Sequence, residues 1–309
     1  MLFCAKFRYT VPETITITQC PLCGGTDLKP VLTCVDHYAS GEMFHLCCCQ
    51  KCKFLFTQGF PDEASIEPYY ASENYISHND SREGLMNRIY HYVRGKMLQR
   101  KAELIEKHSY QQQGRLLDIG TGTGHFAAFM KQRGWLVDAV EKSDQARNFA
   151  YEHFDLDVYR PCDLQRLQRG SYDVITLWHV MEHLEQLNET WEHLHRLLAP
   201  RGVLIVAAPN HSSYDAKKYG AYWAAYDVPR HLWHFSPDTM QRFGAKHGFI
   251  LAERYPMPFD AFYVSILTER YMRHTAAFVR GMFTGVLAYV ASLFKKERSS
   301  SMIYVFRKK

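Results

Sequence analysis

Cysteine is scarce over most of this 309-residue chain: eight of the nine lie in the first 52 residues, and only Cys162 falls beyond them. Cysteine usage therefore divides the chain in two. Net charge is also small, 37 Lys and Arg against 32 Asp and Glu. That balance of +5 permits acidic substrates, but no basic run is dense enough to argue for nucleic acid. The start, Met1 to Lys6, has no long apolar stretch followed by a cleavage site, so no secretory leader is expected and a cytoplasmic protein is. There is one long apolar run, Thr275 to Phe294. What is plentiful is hydrophobic residues, 47%, with 14% aromatic, which makes the chain globular. Its length suffices for one large core plus a small module.

The most informative stretch is Leu116-Leu-Asp-Ile-Gly-Thr-Gly-Thr-Gly-His-Phe126. It predicts a short buried strand running through Gly120, Thr121, Gly122 and Gly124 into an apolar helix start. Glycines there permit positive φ and a close approach of backbone to ligand. The dinucleotide fingerprint is spaced G-x-G-x-x-G, and here the third glycine falls one residue early. Asp118, two residues before the first glycine, would repel a pyrophosphate. It suits a ligand with a cationic amino-acid end, such as S-adenosylmethionine. A second apolar strand, Trp135 to Glu141, ends in an acid about twenty residues on, where a carboxylate can take both ribose hydroxyls. Lys142 beside it makes a 2′-phosphate reader the weaker alternative, and an accidental α/β turn is the bland one.

Downstream, strands and helices alternate: a third strand over Asp157 to Cys162, a fourth over Tyr172 to His179, a helix over Thr190 to Leu198 and a fifth strand over Gly202 to Pro209. Such alternation predicts a parallel sheet covered by helices on both faces, with ligands at the carboxyl ends of its strands. Asp118, Glu141, Asp163 and His179 all fall at or just past those ends. Before the glycine motif, Leu85 to His108 has helical periodicity, with its histidines and arginines expected on a solvated face. Pro61 to Arg82, with Tyr69, Tyr70 and Tyr75 near His78, is expected to be a connection or lid.

In the cysteine-rich segment, Cys20-Pro-Leu-Cys23 and Cys49-Gln-Lys-Cys52 form two C-x-x-C knuckles. Thiolates at such spacing can share one tetrahedral zinc ion, which would hold a segment too small for its own core. A disulfide framework and a redox pair are the competing readings, and Cys47 and Cys48 crowd the ligand choice.

The D-x-G-x-G-x-G string followed by a strand-end Glu resembles the class I methyltransferases that use S-adenosylmethionine. Trp178-His-Val-Met-Glu-His-Leu184 is similar to the segment after the fourth strand in many small-molecule members. Tyr226-Asp-Val-Pro-Arg-His-Leu-Trp-His-Phe-Ser236 resembles a bacterial subgroup in which a two-knuckle zinc ribbon precedes the catalytic core. The resemblance implies a Rossmann-like α/β fold: a seven-stranded, mostly parallel sheet with helices on both faces and an antiparallel last strand, Met302 to Phe306. It divides the chain into a zinc-ribbon-like module at 1–60, a linker or lid with a helix at 61–108, and the methyltransferase domain at 109–309. An apolar helical insertion falls at about 270–297.

It also implies that Asp118, Gly120, Gly122 and Gly124 line the methionine end of the cofactor. Glu141 would take the ribose, Asp163 and Leu164 the adenine, and His179 the floor beneath the sulfonium. Methyl transfer needs alignment more than acid–base machinery, but a hydroxyl or enolisable carbon acceptor profits from a base. The candidates are His179, His183, Arg230 and His231, with His231 in the Asp227–His231 loop favoured, while Glu182 and His183 are expected to pair within the protein. The apolar run at 275–294 suits an interfacial helix with basic neighbours, a lid over an apolar acceptor, an oligomer contact or plain core packing. The reading is O- or C-methylation of a small or lipid-like acceptor, with peripheral contact at the inner membrane face as one option. A cofactor-binding scaffold that recruits a partner through the zinc module, or an RNA or protein methyltransferase, are the alternatives.

Overall fold

A computed structural model describes residues 14–70 and 85–309, with the backbone alone for 85–93. Tyr75 and His78 lie outside the described residues. The chain opens with β1 (Thr14–Ile15) and an antiparallel meander of β2 (Leu28–Val35), β3 (Met43–Cys49) and β4 (Leu55–Gln58). β5 (Phe60–Pro61) then returns to pair with β1. α1 (Leu85–Ser109) precedes the alternating part: β6 (Arg115–Ile119), α2 (His125–Gln132), β7 (Leu136–Val140), α3 (Asp144–Phe154), β8 (Val158–Tyr159), β9 (Tyr172–Trp178), α4 (Leu187–Leu197) and β10 (Leu198–Pro209). The remainder is α5 (Tyr214–Tyr219), β11 (Trp233–His234), α6 (Pro237–Lys246), β12 (Phe249–Met257), α7 (Asp260–Tyr271), α8 (Ala277–Phe294) and β13 (Ser301–Lys308).

Seven strands form one sheet in the order β12-β13-β10-β9-β6-β7-β8. All run parallel except β13, which is antiparallel to both neighbours, as the resemblance implies. Alternation along the strands explains the two-faced core. Leu116, Val203 and Ile205 pack with Ile105, Phe126 and Met130 on one face. Their chain neighbours Leu117, Leu204 and Val206 pack with Trp191, Phe243 and Phe306 on the other. Each fully buried ring in these layers contributes about 2–3 kcal/mol.

Two expectations need adjustment. The third strand is Val158–Tyr159 alone, because Pro161 cannot donate to a ladder and opens a 3-10 turn, Pro161–Arg166, that carries Asp163 and Leu164. The polar side of α1 is solvated only in part: Lys96, Arg100 and Lys107 are exposed, but not every member of it is free of the fold. His108 is buried with Nε2 2.9 Å from the Tyr255 hydroxyl, and the Arg100 guanidinium lies over the Phe259 ring.

The N-terminal module does not have its own separate core. β11, from the segment after the fifth parallel strand, completes its sheet in the order β11-β4-β3-β2. Phe54 stacks with Trp233 and meets Phe235 and Phe243, so the module's main ring sits in the core of the larger domain. The Thr57 hydroxyl donates to the His231 carbonyl at 2.7 Å.

α7 and α8 form a helical hairpin inserted between β12 and β13. The face of α8 that meets α7 consists of small residues: Gly281, Thr284, Gly285, Ala288 and Ala291 are buried. A Cβ at Gly281 would stand 2.4 Å from the Ile266 Cα, so the close approach needs glycine. The one charge within the apolar run, Arg280, is neutralised by Glu269, which also accepts from Tyr219 and lies 2.6 Å from His274. The large side chains of α8 point outward: Phe278, Val279, Phe283, Leu293 and Phe294 are all more than half exposed.

Candidate active site

β6 and β7 are neighbours in the sheet, so their carboxyl ends bring the glycine loop and Glu141 together. The loop's backbone is left-handed at Gly120, Gly122 and Gly124. At Gly120 (φ 70°) a Cβ would meet Val180 Cγ2 at 2.3 Å, whereas nothing lies within 4 Å of a Cβ at Gly122. The first glycine is thus required by packing against the segment after β9. The second faces open space, as a backbone that must approach a ligand should. The Gly122 N–H donates to Glu141 Oε2 at 2.8 Å, and the Ser143 N–H donates to Oε1 at 2.9 Å. The carboxylate is held at the loop with lone pairs to spare. The Thr121 hydroxyl is buried and faces the Asp118 carboxylate, whose charged form it favours.

Asp118 is buried at the end of β6 and accepts a 2.6 Å hydrogen bond from Thr176 of β9. Burial pushes its carboxyl up to about 6, against that hydrogen bond and the Lys101 cation. A cationic ligand group beside it would restore the charged form. Open space at Gly122 and two carboxylates at adjacent strand ends fit a ligand with a cationic end and a diol. Asp163 is turned to its own 3-10 turn, accepting from the Arg160 N–H and pairing with Arg166, while Leu164 packs on the core. Lys142 pairs with Glu63 at 3.0 Å, far out in solvent.

His179 ends β9 in left-handed backbone, φ 58°. Its Nδ1 lies 3.4 Å from Glu182 and its Nε2 3.3 Å from Asp260 at the start of α7. Burial opposes its charge, but the two carboxylates outweigh burial and hold it up to about 10. An imidazolium at neutral pH cannot take a proton, which corrects the expectation of His179 as a base. Arg230 is corrected likewise. It is buried, with Nε and Nη2 on Asp227, Nη2 also on Asp36 at 2.9 Å, and Nη1 on the Tyr69 carbonyl at 2.8 Å. Those bonds tie the cysteine-rich module to the Asp227 loop and leave the guanidinium a positioning role.

His231 has Nδ1 2.9 Å from the Ala225 carbonyl, and its ring packs edge-on against His183 at 4.5 Å. Glu182, His183 and His231 offer ligand atoms all within 4.8 Å of one another. Glu182 is 1% exposed, with the His179 ring 3.4 Å from one of its oxygens. His183 is held down to about 4 by burial and the neighbouring His231, so it is neutral.

Sequence reasoning missed the other half of the site. A cavity of about 220 Å³ opens beside the end of β9, lined by Met97, Lys101, Leu104, Trp178, Phe259 and Asp260 among others. Lys101 carried no sequence signal, being one cation among many on a long helix.

The cysteine site lies apart from these residues. Cys20 and Cys52 sulfurs are 3.4 Å apart, those of Cys23 and Cys49 3.5 Å, and all four lie within 4.8 Å. A tetrahedral ion about 2.3 Å from each sulfur would hold them roughly 3.8 Å apart, so the four thiols fit zinc. Cys47 and Cys48 stand outside this group of four.

The sheet order, with its single antiparallel strand and an acid–glycine–acid edge at β6 and β7, defines a Rossmann-like methyltransferase fold. A methyltransferase-domain family model matches residues 89–253, just over half the chain, and the chain belongs to that family. A ubiquinone biosynthesis O-methyltransferase of Caulobacter sp. (strain K31) is 33% identical over 142 residues, 42% of this chain and 56% of that protein. The enzyme of the same description from Caulobacter vibrioides is 29% identical over 182 residues, 55% of this chain and 70% of its own length. The match thus spans little more than half of the first of these relatives. Among solved structures, a putative sarcosine dimethylglycine methyltransferase from Galdieria sulphuraria shares the fold with a TM-score of 0.51 at 17% identity, covering 72% of this chain and 88% of that one.

Proposed function

We propose that this protein transfers a methyl group from S-adenosylmethionine to an oxygen of a small, largely apolar acceptor. The observation that carries the reading is the edge formed by Asp118, the open backbone at Gly122 and Glu141, two carboxylates and a bare loop at adjacent strand ends. Asp118 would hold the cationic amino-acid end and Glu141 the ribose diol, with Thr121 beside Asp118 at the loop. When bound, the cofactor supplies an activated methyl group. This chain's own part is to orient it, exclude water and present an acceptor. Relatives named as O-methyltransferases of ubiquinone biosynthesis support an oxygen acceptor on an apolar body.

The outward Phe278, Phe283, Leu293 and Phe294 of α8, with Lys295, Lys296 and Arg298 beyond, support peripheral docking on an anionic lipid surface at the cytoplasmic face. Phe259, on the rim of the cavity, lies against Tyr289 of the same helix, so docking there would bring the cavity mouth to the lipid. The four-thiol site would hold a structural zinc, since every ligand position is filled by protein. The test is transfer of labelled methyl from S-adenosylmethionine into solvent-extractable material of a membrane extract. Labelled product from the wild type and several-fold less from Glu141→Ala at limiting S-adenosylmethionine supports the reading. Binding of S-adenosylhomocysteine with no product from any extract points to the scaffold instead.

A further inference from the structure

Two cations of α1 line the cavity, Arg100 and Lys101. Arg100 lies over the Phe259 ring and Lys107, further along the helix, is bound to the Tyr255 hydroxyl, while among the described residues no hydrogen bond or ion pair holds the Lys101 ammonium. Its Nζ lies 4.3 Å from the centre of the Trp178 ring and 5.4 Å from that of Phe126. It lines a cavity whose other walls include Met97, Leu104, Met257 and Ile303. Trp178, which lines the same cavity, has an indole N–H that is buried without a partner. A buried indole N–H without a partner is costly unless an acceptor atom comes to meet it, and the Lys101 ammonium stands over the same ring. Cofactor-side Asp118 and cavity-side Asp260 both act on Lys101 electrostatically, so it lies between the two halves of the site.

We propose that Lys101 is a catalytic residue of the acceptor side. It binds the hydroxyl oxygen of a phenol- or enol-type acceptor with an apolar body and takes its proton. The inference rests on the methyltransferase reading and deepens it by naming the acceptor class. In the step, the hydroxyl proton passes to the lysine amine and the oxygen's electron pair forms the new O–CH₃ bond. The pair of the broken S–CH₃ bond stays on sulfur, which becomes a neutral thioether. The positive charge leaves as the lysine's proton.

Burial brings the Lys101 amine down to about 8, with Asp118 and Asp260 opposing, so a usable fraction is neutral near physiological pH. The charged and titratable groups around it are those two carboxylates together with Arg100 and Tyr255 on the cavity wall, while His179 is already committed to Asp260 and Glu182. None of the other cations lining the cavity is placed between the cofactor loop and the apolar walls in this way.

The test uses 4-nitrophenol, whose absorbance separates phenol from phenolate, titrated against the full-length protein with S-adenosylhomocysteine present. The wild type should lower the probe's apparent pKa by about one unit, a tenfold preference for the phenolate. Lys101→Met should abolish that shift, whereas Lys101→Arg, which keeps the cation, should retain it. In a methylation assay the arginine variant should lose the alkaline rise of kcat/KM, since a guanidinium cannot take the proton. An unchanged probe shift in Lys101→Met, or no probe binding by the wild type, overturns the proposal. Calorimetry with S-adenosylhomocysteine reports separately on the underlying reading. Binding retained in both variants leaves that reading standing whichever way the probe behaves, and no binding by the wild type removes it.

Discussion

The cofactor loop and the acceptor cavity share one sheet edge but are assembled differently. Asp118, Gly120, Gly122, Gly124 and Glu141 all come from one strand–helix–strand unit, and β6–β7 pairing alone brings them together. The cavity draws on α1, the end of β9, β12 and the start of α7, elements separated by most of the chain. A site built from local sequence is confined to the few residue types its turn allows, so it leaves a spaced signature. One built from remote walls needs only suitable shape and a few polar groups, and many sequences supply those.

The largest effect should come from a pairing of remote segments that lies outside the cavity itself. Arg230→Met would leave Asp36, a fully buried carboxylate, without its cation, and should destabilise the fold by about 3–5 kcal/mol in a denaturant titration. Burial raises the Asp36 carboxyl, but Arg230 and the Ser40 N–H outweigh it and the net shift is downward. A depressed acid stabilises the fold above its ordinary pKa, so this contribution should be lost only as the pH falls below the usual carboxylate range. A Met variant as stable as the wild type would mean the module and the Asp227 loop do not depend on each other.

Next comes the local side. Gly120→Ala adds a Cβ at positive φ against Val180, and should weaken S-adenosylhomocysteine binding about a hundredfold, roughly 2–3 kcal/mol. Calorimetry checks it, and unaltered affinity would detach the loop from the cofactor. The pH dependence is smaller and has a defined sign. Asp118 is raised to about 6, so it favours the fold below its ordinary pKa and that contribution is lost as the pH rises through 6. Cofactor binding runs the other way, because the cationic end needs the carboxylate. Affinity should fall below pH 6, by at most about tenfold per unit. A flat profile between pH 5 and 7 would exclude Asp118 as the partner of that charge. The smallest effect should be Phe294→Ser on α8, which removes one exposed ring from the apolar face. It should cut sedimentation with anionic vesicles several-fold, about 1 kcal/mol, without altering cofactor affinity.

Sequence made most of the sheet legible. Apolar strands bounded by Gly and Pro located the strand ends at which Asp118 and Glu141 stand, and the two knuckles singled out the four thiols that do converge. Other features depend on long-range contacts. That β11 would be captured by the cysteine-rich module is not written in Trp233-His234, which is too short to carry a period. The commitments of Arg230 to Asp36 and of His179 to Asp260 join residues far apart in sequence, so their local motif suggested chemistry where the structure shows pairing. The small-residue face of α8 was visible as glycines diluting an apolar run, but its partner, α7, was not.

The central claim is that the Asp118–Glu141 edge binds S-adenosylmethionine, and the most direct test is calorimetric titration of S-adenosylhomocysteine into wild type and Glu141→Ala. The account predicts one-to-one binding by the wild type and at least about tenfold weaker binding by the variant, the cost of a lost charge-assisted hydrogen-bond acceptor. No binding by the wild type, or equal binding by both, would contradict it.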